Sequence, residues 1–312
     1  MKTDAITVKM DDGANICVHR WIPDGEVRGV VQFFHGMVEH AMRYDRLGSI
    51  LVENGFALIA DDHRGHGQTA RDAEWNSNGC FGYLADEDGF ERVVQDEFAI
   101  TRRIKEEFPG KKIFIFGHSF GSIVAQAYIE ENATDISGCI ISGTIGKRST
   151  SAFFGSLIAE ISRKVHGKYH ISGTINKMTF GAYNKRIPSP TSKNDWLTRD
   201  KMIVQLYDGD LWCGFVPTVS FFCDLFRGVR RVVKKRAISS ILATLPVFFI
   251  YGEEDPTGRY GKGPKKLCEM YKKAGMTNVK EKMYPGARHE LLNELCREEV
   301  EKDVLDYLKS LA

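Results

Sequence analysis

The stretch IFIFGHSFGS, residues 113–122, constrains the fold more than any other part of the chain. Its apolar run predicts a strand over 112–116 that stops abruptly at Gly117-His118-Ser119-Phe120-Gly121, with a helix expected from 119. A strand that turns this sharply into a helix forces its central residue into strained backbone space, where side chains two positions to either side would collide if they carried a Cβ. Glycines at 117 and 121 remove that collision. The pattern therefore presents the Ser119 hydroxyl above a sheet, at a helix N-terminus. Two glycines and a serine also make an ordinary capped loop, but the readable strand and helix on either side favour the sharp turn.

The surrounding pattern supplies the sheet that such a turn needs. Strands at 5–10, 15–21 and 27–34, separated by Asp-Asp-Gly and Pro-Asp-Gly turns, predict a short antiparallel start. Strands at 56–60, 112–116 and 138–142 then alternate with helices, one of them over about 88–108 with Val93, Val94, Ile100 and Ile104 on one face. This alternation predicts an α/β fold, a mostly parallel sheet covered by helices. It stops over about 145–240, where Phe153, Phe154, Leu157, Ile158, Ile161 and Val165 recur three and four apart and predict an inserted helical unit. The rhythm resumes with a strand at 246–251, a helix near 263–274, a strand at 279–284 and a last helix carrying Leu295, Val304, Leu308 and Leu311. Residues 1–144 and 241–312 are thus expected to form one core in two parts, with 145–240 inserted between them.

A serine hydroxyl attacks only when a base takes its proton and a third group holds the base. On a fold of this kind the order is serine, acid, histidine, with the partners on loops after later strands. YGEEDPTG places Asp255 after the strand at 246–251, with Pro256 stiffening the loop, and YPGARHELLNE places His289 after the strand at 279–284. Glu253 and Glu254 are rival acids nearer the strand end, and His118 is excluded as the base because the turn aims it away from the serine hydroxyl. The oxyanion of acyl transfer needs two N–H donors. One is Phe120 N–H; the other is expected from the loop after 27–34, FFHGMVEH, where Gly36 lets the backbone come close and Met37 is the donor. A plain strand-ending His-Gly turn is the simpler reading of that loop. His35 and Gly36 are placed with the substrate-binding residues, as are the aromatic residues Phe153, Phe154 and Phe215 of the insertion.

His63 and His66 stand at H-x-x-H spacing in DDHRGHGQT. No cysteine or carboxylate cluster accompanies them at ligand spacing in the sequence, so they are read as a Gly-rich turn under the site, and neither a metal nor a cofactor is expected. No G-x-G-x-x-G or Walker loop occurs. The net charge of +2 argues against a nucleic-acid partner. The first residues look unlike a signal peptide, and no apolar run approaches the roughly 20 residues of a membrane span. Seven scattered cysteines without a C-x-x-C pair point to a reduced protein of the cytoplasm. RGVRRVVKKR, 227–236, sets Arg227, Arg230, Arg231, Lys234 and Lys235 against Val229, Val232 and Val233, which reads as a solvated face over a packed stripe, with transient membrane-surface contact as the alternative. Nothing in the sequence sets the oligomeric state.

Taken together, GHSFG, HGMVEH, DHRGHG, GEEDP and ARHELLNE resemble, over nearly the full length, the monoglyceride lipase and lysophospholipase branch of the α/β-hydrolases, with its serine aminopeptidase-like members. NDWLTRD, 194–200, and CGFVPTVSFFCDLFRG, 213–228, look like segments of that group's cap. The resemblance implies an α/β-hydrolase fold, catalytic Ser119, Asp255 and His289, oxyanion donors Met37 and Phe120, and a helical cap over an acyl channel. It further implies a serine esterase that works through an acyl-enzyme on a small ester or monoacyl lipid. Thr69 departs from the serine usual in that group while keeping the hydroxyl. Because the cap varies within the group, the substrate does not carry over. Peptide cleavage by the same triad remains a rival, as does a non-catalytic binding protein, although no triad member is missing. A serine at the turn excludes dehalogenase and epoxide-hydrolase chemistry.

Overall fold

The computed structural model describes residues 1–75, 80–146 and 149–312, with the side chains of 74, 75 and 149–153 outside the described set. Its sheet contains β1 (Lys2–Lys9), β2 (Asn15–Ile22), β3 (Gly29–Phe34), β4 (Phe56–Asp61), β5 (Lys112–His118), β6 (Gly138–Ser142), β7 (Val247–Gly252) and β8 (Val279–Tyr284). The strands lie in the order β1-β2-β4-β3-β5-β6-β7-β8. β1 and β2 form an antiparallel hairpin, β2 runs antiparallel to β4, and every pairing from β4 through β3 to β8 is parallel.

The expected antiparallel start therefore fails at its third strand. β3 is buried along its whole length and takes a central place between β4 and β5, with α1 (Asp45–Glu53) on the crossover that leads from it to β4. Turn residues report that a chain reverses, and a strand with two buried faces then seeks parallel neighbours under helices. β4 lies on one side of β3 and β5 on the other, so the strand order reverses there and opens a crevice beyond the carboxyl ends. Register finishes the placement: Phe34 pairs with Gly117, so the residues after β3 lie beside those after β5.

Helices cover both faces. α2 (Gly67–Trp75), α3 (Gly89–Glu107), α4 (Phe120–Asn132), α10 (Lys262–Lys273) and α11 (Arg297–Leu311) belong to the sheet, while α5 (Ser149–His166), α6 (Gly173–Phe180), α7 (Lys201–Gly209), α8 (Val219–Val232) and α9 (Lys235–Ser240) lie between β6 and β7. Alternation along β5 sends Ile113 and Ile115 into one core with α4 and α8, and Phe114 and Phe116 into another with α1 and α11. Leu295 stands before α11 and is exposed, so it does not belong to the final helix's apolar face. In the basic segment, Val229, Val232 and Val233 are buried, and Arg231 pairs with Glu130 at 3.0 Å and with Glu131. Arg231 is thus tied down onto α4, while Arg227, Arg230, Lys234 and Lys235 form the exposed, solvated face over the valine stripe.

Candidate active site

The turn between β5 and α4 is as tight as its glycines imply. Ser119 has φ 52° and ψ −114°, a left-handed conformation that few non-glycine residues adopt. It is held there by its own N–H, which donates to Ser142 O at 3.0 Å, and by Gly121 N–H, which donates to His35 O at 3.0 Å. A Cβ on Gly117 would lie 2.4 Å from Gly121 O, and one on Gly121 would lie 2.0 Å from Phe34 O. The collision inferred from the sequence is thus with backbone, which cannot give way. It also brings the turn against the end of β3.

Three side chains from loops after β5, β7 and β8 meet at this turn. Ser119 Oγ lies 2.8 Å from His289 Nε2, and His289 Nδ1 lies 2.9 Å from Asp255 Oδ2. Burial raises the Asp255 pKa, but the neighbouring imidazole and the hydrogen bonds from Thr257 outweigh it and hold the carboxyl below its ordinary range. An ionised carboxylate only accepts, so Nδ1 carries the ring proton and the Nε2 lone pair faces the serine hydroxyl. Burial disfavours the imidazolium, but the Asp255 carboxylate overcomes this and raises the His289 pKa above its usual value.

Thr257 was not foreseen. Its N–H and Oγ donate to Asp255 Oδ1 at 2.8 and 2.6 Å, and the same Oγ lies 3.0 Å from His289 Nδ1, so it fixes acid and histidine together. The only signal was its place in GEEDPTG, two residues beyond the acid. Glu253 accepts from Gly286 N–H at 2.9 Å instead of meeting the histidine. His118 is buried 4.9 Å from the His289 ring, and burial together with that neighbour pushes its pKa down to about 3.

The loop after β3 supplies the opposite wall. Among the described residues, neither Met37 N–H nor Phe120 N–H has a hydrogen-bond acceptor, and both residues line the cavity in front of Ser119. Gly36 N–H donates to Glu39 Oε1 at 2.5 Å, and a Cβ on Gly36 would lie 3.3 Å from Ser119 Cβ. Glu39 in turn shares Arg43 with Glu290, whose carboxylate takes two hydrogen bonds from that guanidinium at 2.8 and 2.7 Å. Burial alone would raise the Glu290 pKa, but Arg43 brings it down to about 2. This buried trio couples the loop after β3 to the residue following His289, and the sequence offered only the isolated acids of HGMVEH and ARHE.

His35 does not reach the cavity, contrary to expectation. It is fully buried, its Nδ1 donates to Gly36 O at 2.6 Å and its Nε2 accepts His63 N–H at 3.0 Å. Burial, and then His63 and His66, hold its pKa well below the ordinary value, so it supports the loop as a neutral ring. His63 and His66 do not form a pair facing one ligand, since their rings are 6.3 Å apart and edge-on. The fold instead gathers Asp61 and Glu97 around His63, carboxylates that the H-x-x-H spacing could not reveal.

A cavity of about 640 Å³ opens from Ser119 beneath the residues between β6 and β7. Ile158, Ile175, Phe180, Leu225, Phe226 and Val229 give it an apolar wall. Phe154 and Phe215 line it, whereas the side chain of Phe153 lies outside the described residues. Trp196, unforeseen as a site residue, packs its ring 5.0 Å from that of His289 and also faces the cavity.

The chain is similar to known proteins in sequence and fold. The family described as serine aminopeptidase, S33, matches residues 25–296. The chain belongs to this family. It is 30% identical to mouse (Mus musculus) monoglyceride lipase, with 96% of this chain and 87% of that protein covered. It is 25% identical to the monoacylglycerol lipase of Mycolicibacterium smegmatis, with 96% and 94% covered. A thermostable carboxyl esterase from Bacillus coagulans, solved with glycerol, superposes with a TM-score of 0.91 at 28% identity, covering 100% and 99% of the two chains. The S33 chain is an α/β-hydrolase and a serine hydrolase of the monoacylglycerol lipase type.

Proposed function

We propose that this S33 hydrolase cleaves monoacyl esters, monoacylglycerols or lysophospholipids, through an acyl-enzyme on Ser119. The observation that carries the reading is the hydrogen-bonded chain from Asp255 through His289 to Ser119 Oγ, opening into a largely apolar cavity of about 640 Å³. His289 Nε2 takes the hydroxyl proton as Oγ attacks the ester carbonyl, and Asp255 steadies the imidazolium. The oxyanion is received by Met37 N–H and Phe120 N–H, whose vacant hydrogen-bonding capacity supports that role. His289 then protonates the leaving alcohol, and water repeats the sequence to free the fatty acid. Residues 145–240 act as the cap, and Phe154, Phe215 and Trp196 bound the acyl channel.

An acyl chain gains ~0.8 kcal/mol for each buried CH₂, which favours chains long enough to fill the cavity. Peptide cleavage has less support, because among the described residues the carboxylates lining the cavity, Glu39 and Glu290, are both engaged by Arg43 and neither is placed to hold a substrate amine. α5 presents Phe154, Leu157, Ile158, Ile161 and Val165 at the surface, and this helix makes the transient contact with a lipid interface. Among the described residues no helix is long and apolar enough to cross a membrane. All seven cysteines are free thiols, as the reducing cytoplasm we assign to the protein would keep them.

The test is kcat/KM over p-nitrophenyl esters from acetate to palmitate, with Ser119→Ala alongside. Activity should rise toward medium or long chains, and Ser119→Ala should lose ~10⁶ in kcat together with fluorophosphonate labelling, at unchanged circular dichroism. A profile peaking at acetate would sink the lipid reading, and covalent labelling of the variant at the wild-type rate would sink the nucleophile.

A further inference from the structure

A second cluster of chemistry-bearing side chains lies on the seam between the loop after β3 and the loop after α7. His40 Nε2 is 2.8 Å from Asp210 Oδ2, and an imidazole nitrogen, a carboxylate oxygen and the Cys213 sulfur all lie within 4.8 Å of one another. His40 and Cys213 are buried, while the Asp210 side chain is 34% exposed, so the cluster meets solvent at one of its members. His40 Nδ1 is buried with no hydrogen-bond partner among the described residues, and the imidazole is therefore only half satisfied by the protein itself. We propose that His40, Asp210 and Cys213 form a binding site for a thiophilic divalent cation of the zinc class.

The donor set fits that chemistry. Zinc takes imidazole, carboxylate and thiolate at about 2.0–2.3 Å, which sets tetrahedral ligands ~3.4–3.8 Å apart, a spacing this cluster reaches with small side-chain shifts. One thiolate and one carboxylate balance the two charges of the ion, so a neutral complex forms in a half-buried place; the thiol proton leaves to solvent. The fourth position faces water on the Asp210 side. Two other clusters are less open: Asp61, His63 and Glu97 are sealed in the core, and both Asp62 oxygens beside Cys17 and His19 accept backbone N–H groups, whereas at Asp210 only Oδ1 does, from Trp212 N–H at 2.8 Å, leaving Oδ2 to the cluster.

The position gives the ion a consequence. Gly214 N–H and Tyr207 Oη already donate to Val38 O, each at 2.9 Å, next to Met37, and Phe215, two residues beyond Cys213, lines the cavity. A bound ion adds a coordinate clasp between the insertion and this loop, stabilising the closed arrangement and slowing turnover of long-chain esters. Binding of the ion does not depend on the proposed substrate, and the first measurement needs no substrate.

Cobalt(II), titrated into the full-length protein as a spectroscopic stand-in for zinc, should give a thiolate-to-metal charge-transfer band at one equivalent that zinc abolishes. Cys213→Ser should lose the band, Asp210→Asn should weaken binding at least tenfold, and His166→Ala, at the surface His166–His170 pair, should leave it intact. Zinc should raise the Tm and slow long-chain ester turnover of the wild type, reversibly with chelator, and do neither in Cys213→Ser. No charge-transfer band, a band that survives Cys213→Ser, or equal slowing of both proteins by zinc would overturn the site.

Discussion

Along β3, β4, β6 and β7 every residue is buried, and along β5 only Lys112 is not. Along α5, by contrast, Leu157, Ile158, Ile161 and Val165 all reach solvent, Val165 at 68% exposure, although Ala159 on the opposite side is fully buried against the core. Both regions are rich in large apolar side chains. In the sheet these residues drive folding, since each buried Leu, Ile, Val or Phe contributes about 1.5–3 kcal/mol. On α5 they contribute little to holding the chain together, and a surface patch of this kind makes sense where a lipid interface covers it. Apolar composition alone does not separate the two uses; burial does.

The contrast can be broken most sharply at the proposed catalytic end of the sheet. Asp255→Asn should lower kcat by ~10⁴ at nearly wild-type stability, because the histidine loses the partner that fixes its tautomer. With Asp255 present the His289 pKa is raised, so kcat/KM should fall as pH drops through a midpoint above the ordinary histidine value. In Asp255→Asn that acid limb should move to lower pH, while Glu253→Gln and Glu254→Gln leave it in place. A limb that stays put in Asp255→Asn transfers the acid role elsewhere.

A change beneath the site should instead cost stability. Arg43→Ala leaves Glu39 and Glu290 facing each other as buried, uncompensated acids, and about 3–5 kcal/mol should disappear from the urea unfolding free energy. A loss below about 1 kcal/mol would mean that the trio is better hydrated than its burial indicates. The smallest effect is expected on α5: Leu157→Ser and Ile161→Ser should each move stability by less than about 0.5 kcal/mol. Hydrolysis of vesicle-borne monoacylglycerol should nevertheless drop severalfold relative to a dissolved short-chain ester. Equal losses on both substrates would return α5 to a purely structural role.

Much of the fold was readable because strand and helix periods differ and because the G-x-S-x-G turn is a local feature written in adjacent residues. That Asp255 and His289 come together at Ser119 was readable for a related reason, since each follows a recognisable strand. What escaped depended on contacts distant in sequence. α1 went unseen because it is short and carries Gly48 at its centre, a glycine kept by the indole of Trp21, which a Cβ there would meet at 2.6 Å. Arg43 meets Glu290 across 247 positions, and Trp196 reaches His289 only because the insertion folds back over the sheet. Thr257 is the instructive exception: it stands two residues from Asp255, but a threonine in a loop carries no mark of its duty until the histidine arrives beside it.

The φ of 52° and ψ of −114° at Ser119 lie in the mirror image of the extended region, where glycine is at ease and an L-residue is not. Such a residue costs of order 1–3 kcal/mol, so under the nucleophile role proposed for Ser119 selection for activity and selection for stability pull in opposite directions there. A Ser119→Gly chain would keep the backbone of the turn, shed its strain and fold at least as well as its parent while losing the hydroxyl that the turn exposes. Selection for foldedness alone would not retain this serine, and under the proposed role only catalysis would.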